Sequence, residues 1–203
     1  PGDYTEANAW QYFWTPGQYV WKGVTTLLGG KTALTTHLDT FFTTPAVAPN
    51  QFLGQEAMIG QYAHGNEPSH HIAYLYAFSD RPLQGHQYLK RIMNEFHKPQ
   101  PDGLIGNDDC GQMSAWYLFT LLGFYPVNPA SGEVVLGAPQ VKKASLKIGT
   151  KRLTVQANSF SASSCGAIAY QWNGESLQTP IVSFRSLREG GKLTFKMTTV
   201  CEK

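Results

Sequence analysis

The chain has 203 residues, of which 42% are hydrophobic and 15% charged, and its formal net charge is +2. This composition excludes a disordered chain, and the length allows one large domain or two small ones with a real core. The small net charge, without a basic cluster, argues against a nucleic-acid partner, and no apolar run is long enough for a membrane span.

Helical patterns fill the first part of the chain. Apolar residues recur at three- and four-residue spacing in segments 18–28 and 32–42, which predicts two helices. A thick apolar segment at 72–78 and an amphipathic one at 82–96 predict two more, and 112–122 predicts the last. About half a dozen helices in all suits part of a helical toroid better than a finished bundle.

The pattern changes after Tyr125-Pro126 to short segments rich in β-forming residues. Turn signals such as Asn173-Gly174 separate them. The predicted strands lie at 133–136, 144–148, 152–156, 167–172, 181–184 and 192–197. Helices followed by strands predict two packed units, a helical part at 1–127 and a β-rich, sandwich-like region at 128–203.

Two adjacent carboxylates, Asp108 and Asp109, lie between glycines just before the last predicted helix. Adjacent carboxylates repel each other and avoid burial unless something pairs with them, so the pair indicates a cation, a sugar or a reacting water. Helix capping is the alternative, because an Asp at this place accepts from free backbone N–H groups and favours the positive end of the dipole.

Glu6 lies among the aromatic residues Trp10, Tyr12, Phe13 and Trp14. A carboxyl among rings loses solvation and holds its proton more tightly, as a general acid near neutral pH requires. The alternative is an acid in the first turn of a helix, which the helix dipole favours.

A third polar segment, 64–71, contains Asn66, Glu67, His70 and His71. Two adjacent histidines do not face the same side of a helix, which argues against zinc. Oxygen donors from the Asn and the Glu suit a hard cation such as calcium better. In the alternative interpretation, the Asn caps a helix and the histidines belong to the core or the surface. A Glu and an Asp pair on separate loops also match the two carboxylates of glycoside hydrolysis, but the spacing alone does not bring them together.

Three of these segments, 5–12, 60–71 and 106–116, closely resemble the calcium-dependent exo-acting α-mannosidases of glycoside hydrolase family 92. They read Thr-Glu-Ala-Asn-Ala-Trp-Gln-Tyr, then Gly-Gln-Tyr-Ala-His-Gly-Asn-Glu-Pro-Ser-His-His, then Gly-Asn-Asp-Asp-Cys-Gly-Gln-Met-Ser-Ala-Trp. Segments 123–127 and 136–139 continue the likeness, which covers almost the whole chain.

The resemblance implies the latter half of an (α/α)6 toroid followed by a small β-sandwich-like region. It also implies removal of terminal α-mannose from N-glycans or mannans with inversion of configuration. By the motif match, Glu6 protonates the leaving oxygen and Asp109 activates water, with Asp108 as the second candidate for that base. Ca²⁺ is implied as a cofactor that binds mannose hydroxyls, with Asn66 and Glu67 as candidate ligands. The expected sugar-binding residues are Trp10, Gln11, Asn66, Glu67, His70, His71 and Gln112.

Half a toroid cannot enclose a pocket, so we expect the chain to be an excerpt or a processed part of a larger enzyme. Its expected partners are a mannose-containing glycan and the remaining N-terminal part of the same enzyme or another chain. We expect a secreted, periplasmic or cell-surface location. A non-catalytic glycan-binding or scaffold module, and a toroid-fold glycosidase for another sugar, stay open as alternatives. Pairing of Cys165 with Cys201 is possible, but their spacing does not decide it.

Overall fold

Helices dominate the first part of the chain in a computed structural model, which describes residues 4–46 and 58–202, without the side chains of residues 17–22. We call residues 4–46 and 58–123 the helical part and residues 124–202 the β part. The helical part contains α1 (Ala9–Tyr12), α2 (Thr15–Leu27), α3 (Lys31–Thr43), α4 (Pro82–Phe96), α5 (Gln112–Leu122), the 3-10 segments Glu67–Ser69 and Ile72–Phe78, and the hairpin of β1 (Met58–Ile59) and β2 (Tyr62–Ala63). None of the helices in these described ranges is both long and apolar enough to cross a membrane.

Most predicted helices are confirmed, but the segment at 72–78 is a 3-10 helix rather than an α-helix. It is buried on nearly every side; Ile72 and Tyr76, for example, are fully enclosed. A segment buried all round has no amphipathic period from which its helix type could be read. It packs against α4, where Gly85 allows close approach, because a Cβ there would lie 2.5 Å from the Cβ of Tyr76.

The β part consists of two sheets. The smaller has the strand order β3-β4-β9, and the larger has the order β5-β6-β10-β7-β8, in which β6 and β10 are parallel. The elements are β3 (Phe124–Tyr125), the 3-10 segment Pro129–Ser131, β4 (Glu133–Leu136), β5 (Lys143–Ile148), β6 (Lys151–Asn158), β7 (Gly166–Trp172), β8 (Glu175–Ser176), β9 (Ile181–Ser183), α6 (Phe184–Glu189) and β10 (Gly191–Thr198). The β part begins before the predicted boundary at residue 128. Phe124 and Tyr125 already form β3, which pairs with β4.

A single core fills the space between the two sheets. Alternate residues of the central strands point inward, so that Val155 of β6 and Phe195 of β10 are both fully buried. They belong to the same apolar cluster as Val134 and Leu136 of the smaller sheet. Side chains that alternate across a pleated strand therefore give the β part a core of its own.

The two parts meet along α4. His86 Nδ1 accepts a hydrogen bond from the backbone N–H of Ala167 at 3.3 Å, and its Nε2 lies 3.4 Å from the Tyr170 hydroxyl. Burial lowers the pKa of His86 to about 4, so the ring is neutral at this contact. Gly166 allows β7 to start here, because a Cβ at that position would lie 2.5 Å from His86 Nδ1.

A disulfide closes the end of this contact. Cys165 and Cys201 are bonded, so the pairing that the spacing left open is present, and Cys110 is free and exposed. The bond holds the segment after β10 beside the start of β7. The next residue, Glu202, accepts a hydrogen bond from the backbone N–H of Gln84 at 2.8 Å, in the first turn of α4. This N–H also reaches the carbonyl of Arg81 at 3.1 Å, so the tail of the β part adds a second acceptor at the start of a helix in the other part.

Candidate active site

Glu6 lies in the loop before α1 and is exposed, with a left-handed backbone φ of 56°. The helix begins at Ala9, and its cap is Asn8, whose side-chain oxygen accepts from the backbone N–H groups of Trp10 and Gln11. Glu6 is therefore outside the first helical turn, and the dipole interpretation of this residue is wrong. The neighbouring rings were expected to remove water from the Glu6 carboxyl. The described residues do not do so, because Glu6 is exposed. A non-glycine residue held in this backbone region is typical of functional sites.

The second polar segment is tied to the first loop. The side-chain amide of Asn66 donates a hydrogen bond to the backbone carbonyl of Glu6. Asn66 makes no capping hydrogen bond to the 3-10 segment that follows it, so capping does not explain this side chain. Gln11 strengthens the same link, because its Nε2 donates to the carbonyl of Gln61.

The two adjacent aspartates have different surroundings. Asp108 Oδ1 accepts from both the backbone N–H and the hydroxyl of Ser114, each at 2.9 Å, so the capping interpretation is confirmed for Asp108. Asp109 is exposed and has a left-handed φ of 49°. The turn that carries them lies against the second segment, since a Cβ on Gly106 would be 3.2 Å from the carbonyl oxygen of Gly65.

Glu67 interacts with two acids from other segments, Asp109 and Glu6. Burial raises the pKa of Glu67 above its ordinary value, and a hydrogen bond with the Asp109 carboxyl raises it further. The negative charges of Asp109 and Glu6 act in the same direction. Like charges nearby disfavour the ionised form of a carboxyl, which is the direction in which the pKa of Glu67 is shifted. The structure thus links Asp109 to Glu67 by a hydrogen bond and places Glu6 within electrostatic reach of Glu67, neither of which spacing alone showed.

Glu6, Glu67 and Asp109 are called the acidic cluster below. The histidines of the second segment are more deeply buried than these three acids. His70 and His71 are buried, and burial lowers the pKa of each to about 4, although their hydrogen bonds to backbone carbonyls oppose the shift. His71 Nε2 donates to the carbonyl of Trp14 at 2.9 Å, and its Nδ1 is a buried nitrogen without a partner among the described residues. These positions favour support of the loops over direct contact with a sugar.

His64 extends the neutral histidine group into the core. Its Nδ1 lies 2.8 Å from the hydroxyl of Tyr62, and its Nε2 lies 2.9 Å from Nε2 of His97. Burial lowers the pKa of His64 well below its usual value, and the neighbouring His70 and His97 lower it further. The rings of His64 and His97 also pack against Trp116, which is fully buried.

The other expected sugar-binding residues divide into exposed and enclosed ones. Trp10 is 41% exposed and available to a ligand. Gln11 is buried with both ends of its amide engaged, because its Oε1 accepts from the backbone N–H of Asn8 at 2.8 Å. Gln112 is half-buried at the start of α5, and its Nε2 lies 3.2 Å from both His70 Nδ1 and the Tyr125 hydroxyl. Gln11 is therefore placed to hold loops, whereas Gln112 lies between His70 and Tyr125.

Sequence reasoning missed three residues that shape the site. Asn8 and Gln61 hold the first two loops together, and Tyr125 contacts Gln112. The pattern Asn-x-x-Gln at 8–11 is a readable capping-box signal for the first of these. No local signal exists for Tyr125, since it reaches the site from β3.

The oxygen donors at this site fit part of a Ca²⁺ coordination shell. Asn66 and Glu67 offer an amide oxygen and a carboxyl beside two further acids, which is the chemistry that hard cations prefer. In the described ranges, no group of three or more His, Cys, Asp or Glu residues is arranged to hold a metal ion. Calcium takes about 6–8 oxygen ligands, so these two residues would need water, substrate or other backbone oxygens to complete a shell.

A family model described as the glycosyl hydrolase family 92 catalytic domain matches residues 1–199. The chain belongs to glycosyl hydrolase family 92. Its fold is also that of solved family members. It is 34% identical to a family 92 α-mannosidase from Bacteroides thetaiotaomicron in complex with mannoimidazole, with a TM-score of 0.85, covering 98% of this chain and 26% of that one. For the family 92 inverting mannosidase of the same species, the identity is 31%, the TM-score 0.79, and the coverage 97% of this chain and 28% of that one.

A curated relative gives a shorter match. An uncharacterized secreted glycosidase from Arthroderma benhamiae is 31% identical over 87 residues, which is 41% of this chain and 11% of that protein. This family 92 chain therefore spans little more than a quarter of its solved relatives and about a tenth of the curated one. The loops that carry Glu6, Glu67 and Asp109 all fall within the family match.

Proposed function

We propose that the enzyme containing this chain removes terminal α-linked mannose from N-glycans or mannans with inversion of configuration. Glu6 acts as the acid and Asp109 as the base. The observation that carries this proposal is that Glu67 is hydrogen-bonded to Asp109 and feels the negative charge of Glu6, although the three acids come from separate segments. The names of the solved relatives, α-mannosidase and inverting mannosidase, support the substrate and the stereochemistry.

The proposed chemistry needs two carboxyls on opposite faces of the sugar. Glu6 donates its proton to the oxygen of the leaving group, while Asp109 takes a proton from the water that attacks the anomeric carbon. Room for that water requires the two carboxyls to stand about 6.5–9.5 Å apart. Asp108 holds the turn of Asp109 through its hydrogen bonds to Ser114, so that the base keeps its direction.

We also propose that Asn66 and Glu67 contribute ligands to a Ca²⁺ ion at the sugar site. Glu67 interacts with the negative charges of Asp109 and Glu6, and a bound cation would offset this excess of negative charge. When bound, such an ion supplies positive charge that orients sugar hydroxyls. The side-chain oxygen of Asn66 has no hydrogen-bond partner among the described residues and is free for this purpose.

The remaining N-terminal part of the enzyme, or another chain, is the proposed protein partner. The helical part exposes Trp10, Phe13 and Leu118 to 41%, 47% and 57%, and large apolar side chains of this kind are favourable to cover. We propose that this part supplies half of an (α/α)6 toroid and that the β part closes it as a sandwich-like region. A secreted, periplasmic or cell-surface location is proposed as well, in line with the secreted relative.

The direct test replaces Glu6 by Gln in the complete enzyme. We expect the rate on substrates with poor leaving groups to fall about 100- to 10,000-fold, because their departure needs a proton. Activated aryl mannosides need little protonation and should be slowed far less. Glu95→Gln is the control, since Glu95 is an exposed acid on α4 that pairs only with Arg91 at 2.8 Å among the described residues. Equal losses on both substrate classes would remove Glu6 as the acid.

Incubation of the complete enzyme with α-mannobiose, with and without a chelator, separates the remaining possibilities. Mannose release that stops on chelation and returns with added calcium supports the whole proposal. Release that prolonged chelation does not affect removes the calcium part. Sugar binding without release would favour a glycan-binding module. If a panel of aryl glycosides shows dominant release of glucose, the enzyme acts on another sugar.

A further inference from the structure

The amide of Gln112 has a fixed orientation. His70 Nε2 lies 2.9 Å from the carbonyl oxygen of His64, which can only accept, so this nitrogen carries the ring proton. In the neutral ring, Nδ1 is then an acceptor, and Gln112 Nε2 donates to it at 3.2 Å. The second hydrogen of the same Nε2 points to the hydroxyl oxygen of Tyr125, also at 3.2 Å. Both hydrogens of the amide are therefore used.

The amide oxygen of Gln112 is left without a partner in the described part of the chain. It is also not one of the buried orphaned side-chain atoms there, which are Ser69 Oγ and His71 Nδ1. Amide geometry turns this oxygen away from the two groups that bind the nitrogen. Gln112 lies in the same turn as the proposed base, since its backbone N–H donates to the carbonyl of Asp109 at 3.3 Å. An open acceptor thus stands beside the acidic cluster.

Tyr125 is held rigidly by the β part. Its backbone pairs with Val135 in the small sheet, and its ring stacks on Tyr74 with centroids 5.2 Å apart and an angle of 21° between the planes. Tyr74 is itself held by a hydrogen bond to the hydroxyl of Thr120 at 3.0 Å. Burial raises the pKa of Tyr125; the charge of Glu67 adds to this, and the hydrogen bond with Gln112 opposes it. The phenol therefore stays protonated and keeps its own hydrogen.

We propose that Tyr125 is a positioning residue for the sugar site. Together with His70 it fixes the amide of Gln112, so that Gln112 Oε1 accepts a hydrogen bond from a sugar hydroxyl. This inference rests on the proposed function. It gives the β part a role at the site, because the small sheet sets the position of Tyr125 and hence of an acceptor on α5. A ligand with a hydroxyl at that place satisfies the open oxygen, and an analogue with hydrogen there does not.

The test is a double-mutant cycle in the complete enzyme with Tyr125→Phe, Gln112→Ala and the combined variant. Tyr125→Phe removes one hydroxyl and keeps the ring stack. We expect kcat/KM on an α-mannoside to fall about 3- to 10-fold, which corresponds to the loss of one neutral hydrogen bond. Gln112→Ala should lower it at least as much. The combined variant should be no worse than Gln112→Ala alone, because Tyr125 acts only through that amide.

Tyr170→Phe is the matched control, since it removes another buried hydroxyl, the one beside His86, far along the chain from the acidic cluster. It should leave kcat/KM unchanged. Additive losses in the combined variant, a Tyr125→Phe enzyme with wild-type kcat/KM, or a Gln112→Ala enzyme without a defect would each overturn the inference.

A crystal structure of the Tyr125→Phe enzyme gives a readout that does not depend on activity. We expect the Gln112 amide to occupy more than one orientation, and a single unchanged orientation contradicts the inference. If the wild-type enzyme releases no mannose, the proposed function fails. The orientation of this amide still decides separately whether Tyr125 positions it.

Discussion

The helical part and the β part place their polar groups differently. In the helical part, Glu6 and Asp109 are exposed on left-handed backbone, and all six histidines of the chain belong to this part. In the β part, polar residues occupy the outer positions of regular strands such as β6 and β10. The comparison teaches that the groups proposed for catalysis lie in the helical part, so changes at them should differ in effect from changes in the core of the β part.

Acidification should produce the largest difference between the two parts, because the helical part should unfold at a higher pH than the β part. Burial lowers the pKa of His70, His71 and His86 to about 4, while an unfolded histidine titrates near 6.5. The folded state then binds fewer protons than the unfolded state. Their stabilisation is complete above pH 6.5 and is lost as the pH falls towards 4, at up to about 1.4 kcal/mol per pH unit for each group.

Hydrogen exchange of the enzyme at about pH 7.5, 6 and 5 measures this loss region by region. Peptides of the helical part should lose protection before those of the β part, which contains no histidine. His71→Gln should flatten the dependence on pH, whereas His37→Gln, a change at an exposed position, should leave it intact. Earlier loss of protection in the β part would show that the buried histidines do not control acid stability.

Replacement of Asp109 by Asn should affect activity without affecting stability. We expect the rate of the complete enzyme on α-mannosides to fall about 100- to 10,000-fold, the usual contribution of a general base. The melting temperature should hardly change, because Asp109 is exposed and Asn tolerates the left-handed backbone. Steady-state rates and thermal unfolding of the same preparation measure both effects.

The neighbouring residue supplies the control for that change. Asp108→Asn keeps an oxygen that can accept from Ser114, so activity should stay within a few-fold of wild type. Asp108→Ala removes the cap of α5 and should cost about 1 kcal/mol of stability. If Asp108→Asn removes activity in a well-folded enzyme, Asp108 belongs to the reacting pair itself.

Phe195→Ala should lower stability without changing activity, the reverse of the effect expected for Asp109→Asn. Phe195 is fully buried in the central strand of the larger sheet, so its truncation should cost about 3–5 kcal/mol of unfolding free energy. The rate per folded molecule should stay the same. Denaturant unfolding and active-site titration give the two numbers. Ile168→Ala, at a side chain that is 53% exposed, should change stability by less than about 0.5 kcal/mol. A lower rate in folded Phe195→Ala enzyme would contradict the separation.

Removal of the disulfide should destabilise the contact between the two parts. Cys165 and Cys201 are 36 residues apart, and the chain-entropy argument gives about 4 kcal/mol for a loop of that length, with about 2–4 kcal/mol typical. The double Ser variant should therefore melt earlier than wild type, and reductant should lower the melting temperature of wild type only. Cys110→Ser is the control, because that thiol is free. An unchanged melting temperature in the double variant would show that the bond, which lies within the β part, does not stabilise the fold.

Periodicity was sufficient to predict most of the fold. The helices at 82–96 and 112–122 and most strands follow from it, because one face of each element is buried and the other is not. The segment 72–78 differs because it is buried all round, and burial without a face carries no information about helix type. The disulfide was equally out of reach, since no spacing rule connects Cys165 with Cys201.

The site could be predicted only at the level of loops. Motifs identified the segments that carry Glu6, Glu67 and Asp109. How these segments lie relative to one another depends on backbone contacts such as that between Gly106 and Gly65. Individual roles depend on single hydrogen bonds, which sequence patterns do not encode. Two adjacent aspartates therefore look equivalent in the sequence, although one caps α5 and the other faces Glu67.

The hydrogen bond between Gln84 and Glu202 joins residues 118 positions apart. A ribosome therefore releases α4 long before it adds the carboxylate that binds the first turn of this helix. During translation the Gln84 N–H lacks this second acceptor, and the face of α4 that contacts β7 stays uncovered, until the whole β part has emerged. Domains generally fold in the order of synthesis, but this contact delays completion of the earlier part until the later part has been made.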